Sequence, residues 1–74
     1  MASHRYTVIL EPEEGGAYHA FCPALKGLHT YGATLDEAVA NAREAIELYL
    51  EDLKASGEPV PVDEFVIQPV EVAA

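Results

Sequence analysis

Residues Phe21–Tyr49 read FCPALKGLHTYGATLDEAVANAREAIELY, and this stretch decides the fold. It contains the end of a β-strand, a glycine-bearing connection, a second strand and the start of a long helix. Thr34 and Glu37 have the spacing of a capping box, in which two side chains satisfy free backbone donors at a helix start. Gly57 is the residue type that commonly follows the end of a helix. The pattern predicts a helix that begins at Leu35 and ends just before Gly57.

One face of the predicted helix is apolar. Its apolar residues recur every three to four positions, which is the period of a helix with one buried side. This stripe consists of Leu35, Val39, Ala42, Ile46, Tyr49, Leu50 and Leu53. Because an apolar stripe must be covered, the helix is expected to lie against a sheet formed by the neighbouring strands.

Alternating residue types predict three strands before the helix and one after it. The first three run over Arg5–Glu11, Ala17–Cys22 and Leu28–Gly32. The segment Pro12–Gly16 is a turn, because proline withholds a ladder donor and two glycines permit positive φ. A fourth strand is expected over Glu64–Gln68, and Pro69 places it at a sheet edge or ends it.

The predicted fold class is α+β, in the order β-β-β-α-β. We expect an antiparallel three-strand meander with one long helix on one face and a fourth edge strand. Parallel pairing of the first and fourth strands requires a right-handed crossover, but the sequence does not determine that pairing. The 74 residues are expected to form one domain, residues 1–74. Because a core of this size provides little net stability, small domains commonly gain stability by self-association.

Charge and composition narrow the function classes. Thirteen acidic residues against four basic ones give a net charge of −9, which argues against direct nucleic-acid binding. The charge fits a basic protein partner, or simply maintains solubility. The single Cys22 excludes an internal disulfide, and no apolar run approaches the roughly 20 residues that span a bilayer. We therefore expect a cytoplasmic protein without a membrane interaction.

The sheet face turned away from the helix is expected to be aromatic. Alternation and hairpin pairing place six residues there: Thr7, Ile9, His19, Phe21, His29 and Tyr31. The other face carries small residues such as Ala20 and Gly32, which suit close docking of a helix. Because one helix cannot cover both faces, the aromatic face predicts a homo-oligomer, either a dimer or a tetramer.

The outer face of the helix is the predicted partner-binding surface. It comprises Glu37, Asn41, Glu44, Leu48, Glu51 and Asp52. An acidic row around one apolar anchor, Leu48, is what a basic protein recognises by electrostatic steering and a central contact. A solvated surface with one exposed leucine explains the same pattern equally well.

No constellation of catalytic or metal-binding residues is visible. His19 and His29 alone are expected to converge, whereas a metal site needs three or four ligands. Cys22 has no neighbouring base or cationic environment in the sequence. Hydrolysis of the ribonuclease H kind needs several carboxylates around paired metal ions, and only Glu11 is suitably placed. We therefore predict no enzyme activity, no cofactor and no metal.

Five motifs, in this order, resemble those of HicB-type antitoxins between Tyr6 and Pro61. They are GGAYHA (15–20), CPALKG (22–27), YGATLDEA (31–38), AREAIELYL (42–50) and GEPVP (57–61). The connecting loop departs from the family, which usually has an acidic residue, a proline and often a cysteine where this chain has Ala24, Lys26 and Leu28.

The resemblance implies a partial ribonuclease-H-like sheet topology without nuclease activity. It also implies that the protein neutralises a small basic toxin, HicA, which is an mRNA-cleaving ribonuclease, in a type II toxin–antitoxin system. Many family members carry an additional DNA-binding domain, and none is expected here after Pro69. The alternative is a stand-alone oligomeric binding or regulatory module without a cognate toxin.

Overall fold

The computed structural model describes residues 4–74, which contain three strands and one long helix. The strands are β1 (Ile9–Pro12), β2 (Tyr18–Phe21) and β3 (His29–Gly32), and the helix is α1 (Leu35–Ala55). The strands form an antiparallel sheet in the order β1-β2-β3, and α1 packs on one face of it. The α+β class, the three-strand meander and the single long helix are therefore confirmed.

The predicted pairing of β2 with β3 is also confirmed. Tyr18 lies opposite Gly32 and Ala20 lies opposite Thr30. Between β1 and β2, a 3₁₀ turn replaces the simple turn that was expected, and its Gly15 and Gly16 have φ of 79° and 85°. Only glycine adopts such angles without a steric penalty, so the two glycines permit the reversal of the chain.

The structure differs from the prediction after the helix. Residues 58–74 form neither helix nor strand, so the fourth strand expected over Glu64–Gln68 is not found. Three prolines in this part of the chain lack the N–H group that a strand ladder requires. They are Pro59, Pro61 and Pro69. The first strand is also shorter than predicted, because regular pairing begins at Ile9 rather than at Arg5.

Residues 61–63 are nevertheless attached to the chain that leads into β1. The Tyr6 hydroxyl donates a hydrogen bond of 2.5 Å to the Pro61 carbonyl, and the Thr7 N–H donates to the Asp63 carboxylate. Beyond this attachment, the segment from Glu64 onward is exposed. The side chains of Phe65 to Val72 are therefore not part of the core of a single chain.

Helix α1 approaches the sheet very closely at its N-terminal half. Ala20, Ala38 and Ala42 are completely buried against each other. A Cβ atom added to Gly32 would lie only 2.2 Å from the backbone nitrogen of Ala38. Because real Cβ atoms do not come so close to a backbone nitrogen, this approach requires glycine at position 32. The small residues on this face of the sheet thus bring the helix backbone into contact with β3.

This close approach corrects the predicted apolar stripe. Leu35 and Val39 are 46% and 40% exposed, although the periodicity placed them in the core. Ala38, which the stripe omitted, is buried in their place. A leucine or valine side chain does not fit between two backbones in contact, so these larger residues lie at the flank of the helix.

The C-terminal half of α1 covers a second buried cluster. The loop between β2 and β3 turns Leu25 and Leu28 inward beside Cys22. Ile46, Tyr49 and Leu50 of the helix pack over them, as the stripe predicted. Leu25 is the largest fully buried side chain in the described residues, so this loop contributes the centre of the core rather than a surface turn.

Both ends of α1 are capped as the sequence predicted. Thr34 Oγ1 accepts a hydrogen bond of 3.1 Å from the Glu37 N–H. Glu37 Oε1 reaches back to the Ala33 N–H at 3.1 Å, one residue before the position that a capping box usually serves. At the other end Ser56 is the C-cap, and Gly57 has a φ of 70°. The capping side chains satisfy donors that a bare helix start leaves free.

Candidate functional site

The open sheet face, defined as the face opposite α1, carries a group of contacting rings. The His19 ring lies 5.5 Å from Phe21, 5.1 Å from His29 and 5.0 Å from Tyr31, between ring centroids. The Phe21 and His29 rings are 5.8 Å apart, with 24° between their planes. Tyr31 is 59% exposed. These four side chains therefore share one face, as alternation predicted; His29 and Tyr31 are exposed, and His19 and Phe21 are half-buried.

Hydrogen bonds fix the orientation of the histidines on this face. Glu11 Oε1 lies 2.8 Å from His19 Nδ1, and His19 Nε2 lies 2.9 Å from His29 Nδ1. The three side chains thus form a chain of hydrogen bonds across all three strands. Since the two imidazoles bond to each other, neither of the bonded nitrogens is free to bind a ligand.

The remaining two residues assigned to the open sheet face lie near its β1 edge. Ile9 pairs with Phe21 across β1 and β2, so the two side chains share a face. Thr7 precedes the regular part of β1, and its N–H is bonded to Asp63. The open sheet face is therefore aromatic at its centre, with Ile9 and Glu11 on its β1 side.

Four of the six predicted partner-binding residues form an exposed patch on α1, which we call the acidic patch. Its members are Glu44, Leu48, Glu51 and Asp52. Leu48 is 57% exposed and stands between carboxylates one turn before and one turn after it. Helical spacing of three to four residues places these side chains next to one another. The patch offers negative charge around one apolar contact.

The other two predicted residues of that face have roles within the chain. Asn41 is half-buried, and its Nδ2 donates a 2.7 Å hydrogen bond to the Tyr31 carbonyl. Glu37 caps the helix through Ala33. Both side chains therefore connect α1 to the end of β3, so the available surface is shorter than the sequence predicted.

Cys22 is buried and unreactive in character. It is 2% exposed, and burial raises the pKa of its thiol, which keeps the sulfur protonated near neutral pH. Glu11 contacts a histidine rather than another carboxylate. Within residues 4–74 no group of three or more His, Cys, Asp or Glu side chains converges as metal ligands would. In the same residues no helix combines the length and the apolar character that crossing a bilayer requires.

A groove beside β1 was missed by the sequence arguments. It has a volume of about 660 Å³ and lies between β1 and the flank of α1. Its apolar lining includes Val8, Leu10, Val39 and Ile46, and Arg43 stands beside them. We call it the edge groove. The sequence signal for it was Arg43, which together with Lys54 is one of two basic residues on a helix with six acidic ones.

Comparisons with known proteins point to one family. Residues 6–72 match the family model described as "HicB_like antitoxin of bacterial toxin-antitoxin system". A UPF0150 protein of Synechocystis is 51% identical over 93% of this chain and 87% of its own length. One from Thermoplasma acidophilum is 46% identical over 80% of this chain and 86% of its own length.

A solved structure resembles the fold as well. The crystal structure of the N-terminal domain of the Burkholderia pseudomallei antitoxin HicB superposes with a TM-score of 0.67 and is 34% identical in sequence. The match covers 84% of this chain and 69% of that one.

Proposed function

The chain belongs to the HicB-like antitoxin family, and from this we propose that it acts as the antitoxin of a type II toxin–antitoxin system. In this role it binds and neutralises a small basic HicA-like toxin that cleaves mRNA. The protein contributes no catalysis of its own to this role, because neutralisation requires only that it bind the toxin.

The observation that carries the proposal is the acidic patch on α1. Leu48 is exposed between Glu44 and Glu51, so a basic surface gains both charge complementarity and an apolar contact there. The net charge of −9 attracts a cationic partner from a distance and speeds association at low salt. The same charge repels RNA, so binding the toxin rather than its substrate is the favoured route to inhibition.

The experiment is a titration of the protein with a small basic HicA-like ribonuclease encoded beside its gene. Calorimetry measures the binding, and cleavage of a test RNA measures the inhibition. We expect saturable binding that inhibits cleavage and weakens as salt is raised. Absence of binding at low salt contradicts the proposal.

Charge-reversal variants test the location of the contact. Glu44→Lys with Glu51→Lys is expected to raise the dissociation constant more than tenfold, because both changes place cations against a cationic toxin. The control is Glu13→Lys with Glu14→Lys, which makes the same change of net charge in the exposed turn before β2. Equal losses in the two pairs locate the contact elsewhere than on the acidic patch.

The open sheet face favours a second role, self-association. The rings of Phe21, His29 and Tyr31 share a face that α1 does not cover, and contiguous exposed aromatic surface is typical of protein interfaces. In the alternative function, the chain is a stand-alone oligomeric module without a toxin. Sedimentation equilibrium of Tyr31→Lys against the wild type tests this role, and we expect the variant to associate more weakly. Equal association of the two proteins contradicts it.

A further inference from the structure

Residues 64–72, which we call the arm, expose an unusual amount of apolar surface. Five of the nine residues are apolar and largely uncovered, with Phe65 56% and Val66 86% exposed. The others are Ile67, Val70 and Val72. Burying one such side chain is favourable by about 1.5–3 kcal/mol. A segment of this composition therefore gains considerably from a surface that covers it.

The edge groove is a surface of matching character. Val8, Leu10 and Val39 line it, and the wall opposite α1 consists of residues that lead into β1 together with Leu10 of the strand itself. One edge of β1 pairs with β2, while along the other edge the described residues place no strand. An open strand edge and an adjoining apolar groove together accept an extended apolar segment through backbone and side-chain contacts.

Charge makes the match more specific. Two of the four basic residues of the protein, Arg5 and Arg43, lie at the edge groove, and Glu47 is the single acid among its lining residues. Asp36 and Glu44 lie near Arg43 outside this lining. The arm carries two acids: Glu64 precedes its apolar residues, and Glu71 lies between Val70 and Val72. In residues 4–74 neither arginine forms an ion pair, since the one pair found there joins Glu11 and His19.

No residue of the arm lines the edge groove of its own chain. Pro59 and Pro61 stiffen the connection after α1, and Tyr6 and Thr7 hold it at residues 61 and 63. From there the arm projects outward, giving a longest dimension of 48 Å. The radius of gyration is 14.3 Å, whereas a compact domain of this length has roughly 11 Å. An arm that projects in this way is positioned to reach a neighbouring molecule.

We propose that the arm of one copy lies in the edge groove of a second copy, and that two copies exchange arms reciprocally in a two-fold homodimer. Exchange covers both arms and both grooves with a single repeated contact, as two-fold symmetry requires. The edge groove is separate from the acidic patch and from the centre of the open sheet face. The proposal is therefore independent of toxin binding.

The test uses two variants that disable opposite halves of the contact without altering charge. Phe65→Gln with Ile67→Gln disables the arm, and Val39→Gln disables the groove at a residue that is already partly exposed. All proteins carry Tyr31→Lys, so that association through the open sheet face does not contribute. Sedimentation velocity then measures the mass against the 8.0 kDa of one chain.

We expect the Tyr31→Lys parent to form a dimer and each variant to raise the dimer dissociation constant at least tenfold. An equimolar mixture of the two variants is expected to regain dimer, because one intact arm meets one intact groove. The control Leu35→Gln, at an exposed leucine of α1 that does not line the groove, leaves the constant unchanged.

Three results overturn the proposal. The first is a monomeric parent at 300 µM. The second is dimerisation by the variants with undiminished affinity. The third is a mixture that associates no better than its components, which indicates that each arm folds into its own groove or binds elsewhere.

Discussion

The two edges of the sheet are completed in different ways. At the β3 edge, α1 lies against the strand so closely that Gly32 and the Ala38 backbone are in contact. At the β1 edge, a groove remains open, and no residue of the arm lines it. The same helix borders both edges. The difference follows from side-chain size, because small residues on β2 and β3 let the helix approach there, while Val8 and Leu10 lie at the β1 side.

This contrast shows how the functional surfaces arise from the packing. Close docking at β3 buries Ala38 and Ala42 and forces Leu35 and Val39 to the flank. Val39 then becomes a wall of the edge groove. The β3 edge, which we call the tight edge, therefore contributes to the stability of one chain. The β1 edge, which we call the open edge, provides a surface for another molecule.

The largest expected effect comes from breaking the tight edge. Gly32→Val is expected to cost more than about 4 kcal/mol, because its side chain meets backbone atoms that cannot move aside. That loss exceeds the stability available to a domain of this size, so the variant is expected to be unfolded. Circular dichroism during urea titration checks this.

The control for that prediction is Gly16→Ala in the turn before β2. This glycine has a φ of 85° but nothing within 4 Å of an added Cβ. Its substitution by alanine introduces backbone strain alone, which is expected to lower the free energy of unfolding by about 1–2 kcal/mol. If both variants lose the same free energy of unfolding, a clash between the new side chain and the Ala38 backbone does not explain the loss at position 32.

The next effect concerns the loop cluster that supports the same edge. Leu25→Ala is expected to cost about 3 kcal/mol, since the side chain is fully buried and leaves a cavity. Val62→Ala, at a 75% exposed residue just before the arm, is expected to cost less than about 0.5 kcal/mol. Urea midpoints measured side by side compare the two regions, and similar losses contradict the difference in packing.

A smaller effect is expected at the start of α1, where the helix joins β3. Thr34→Ala removes the hydrogen bond to the Glu37 N–H and is expected to cost about 1 kcal/mol. Thr34→Ser keeps the hydroxyl, and its thermal midpoint should remain near that of the wild type. A serine variant as unstable as the alanine variant indicates that Thr34 stabilises the protein through its methyl group rather than through the capping hydrogen bond.

The smallest effect lies at the open edge and depends on pH. Hydrogen bonds from the Phe65 N–H and from Thr7 lower the pKa of Asp63 below its ordinary value of 3.8. Because the folded-state pKa is lowered, the attachment is complete above pH 3.8 and is lost as the pH falls through the lower value. The amide resonances of Thr7 and Phe65 should therefore move together below that pH.

Asp63→Asn is the matched control, because it keeps the shape of the side chain and has no proton to gain. Its two amide resonances should stay constant over the same range. Titration of the wild-type resonances at or above pH 3.8 contradicts the lowered pKa.

Much of the fold was predictable from local signals. Thr34, Glu37 and Gly57 fix the ends of α1 through backbone geometry and capping, which depend only on neighbouring residues. The alternation around Ala20 and Phe21 fixes which side of the sheet is buried, because successive side chains on a strand point to opposite faces. The aromatic centre of the open sheet face and the exposure of Leu48 follow from the same two periodicities.

The tertiary structure alone decided what depends on distances between elements. Periodicity predicts a buried face for α1, but the contact at Gly32 determines that Ala38 is buried while Leu35 and Val39 are displaced. The edge groove and the attachment of residues 61–63 to Tyr6 and Thr7 also bring together parts of the chain that lie far apart in sequence. Sequence patterns record the direction in which a side chain points, whereas the separation of two backbones is set only when the elements pack.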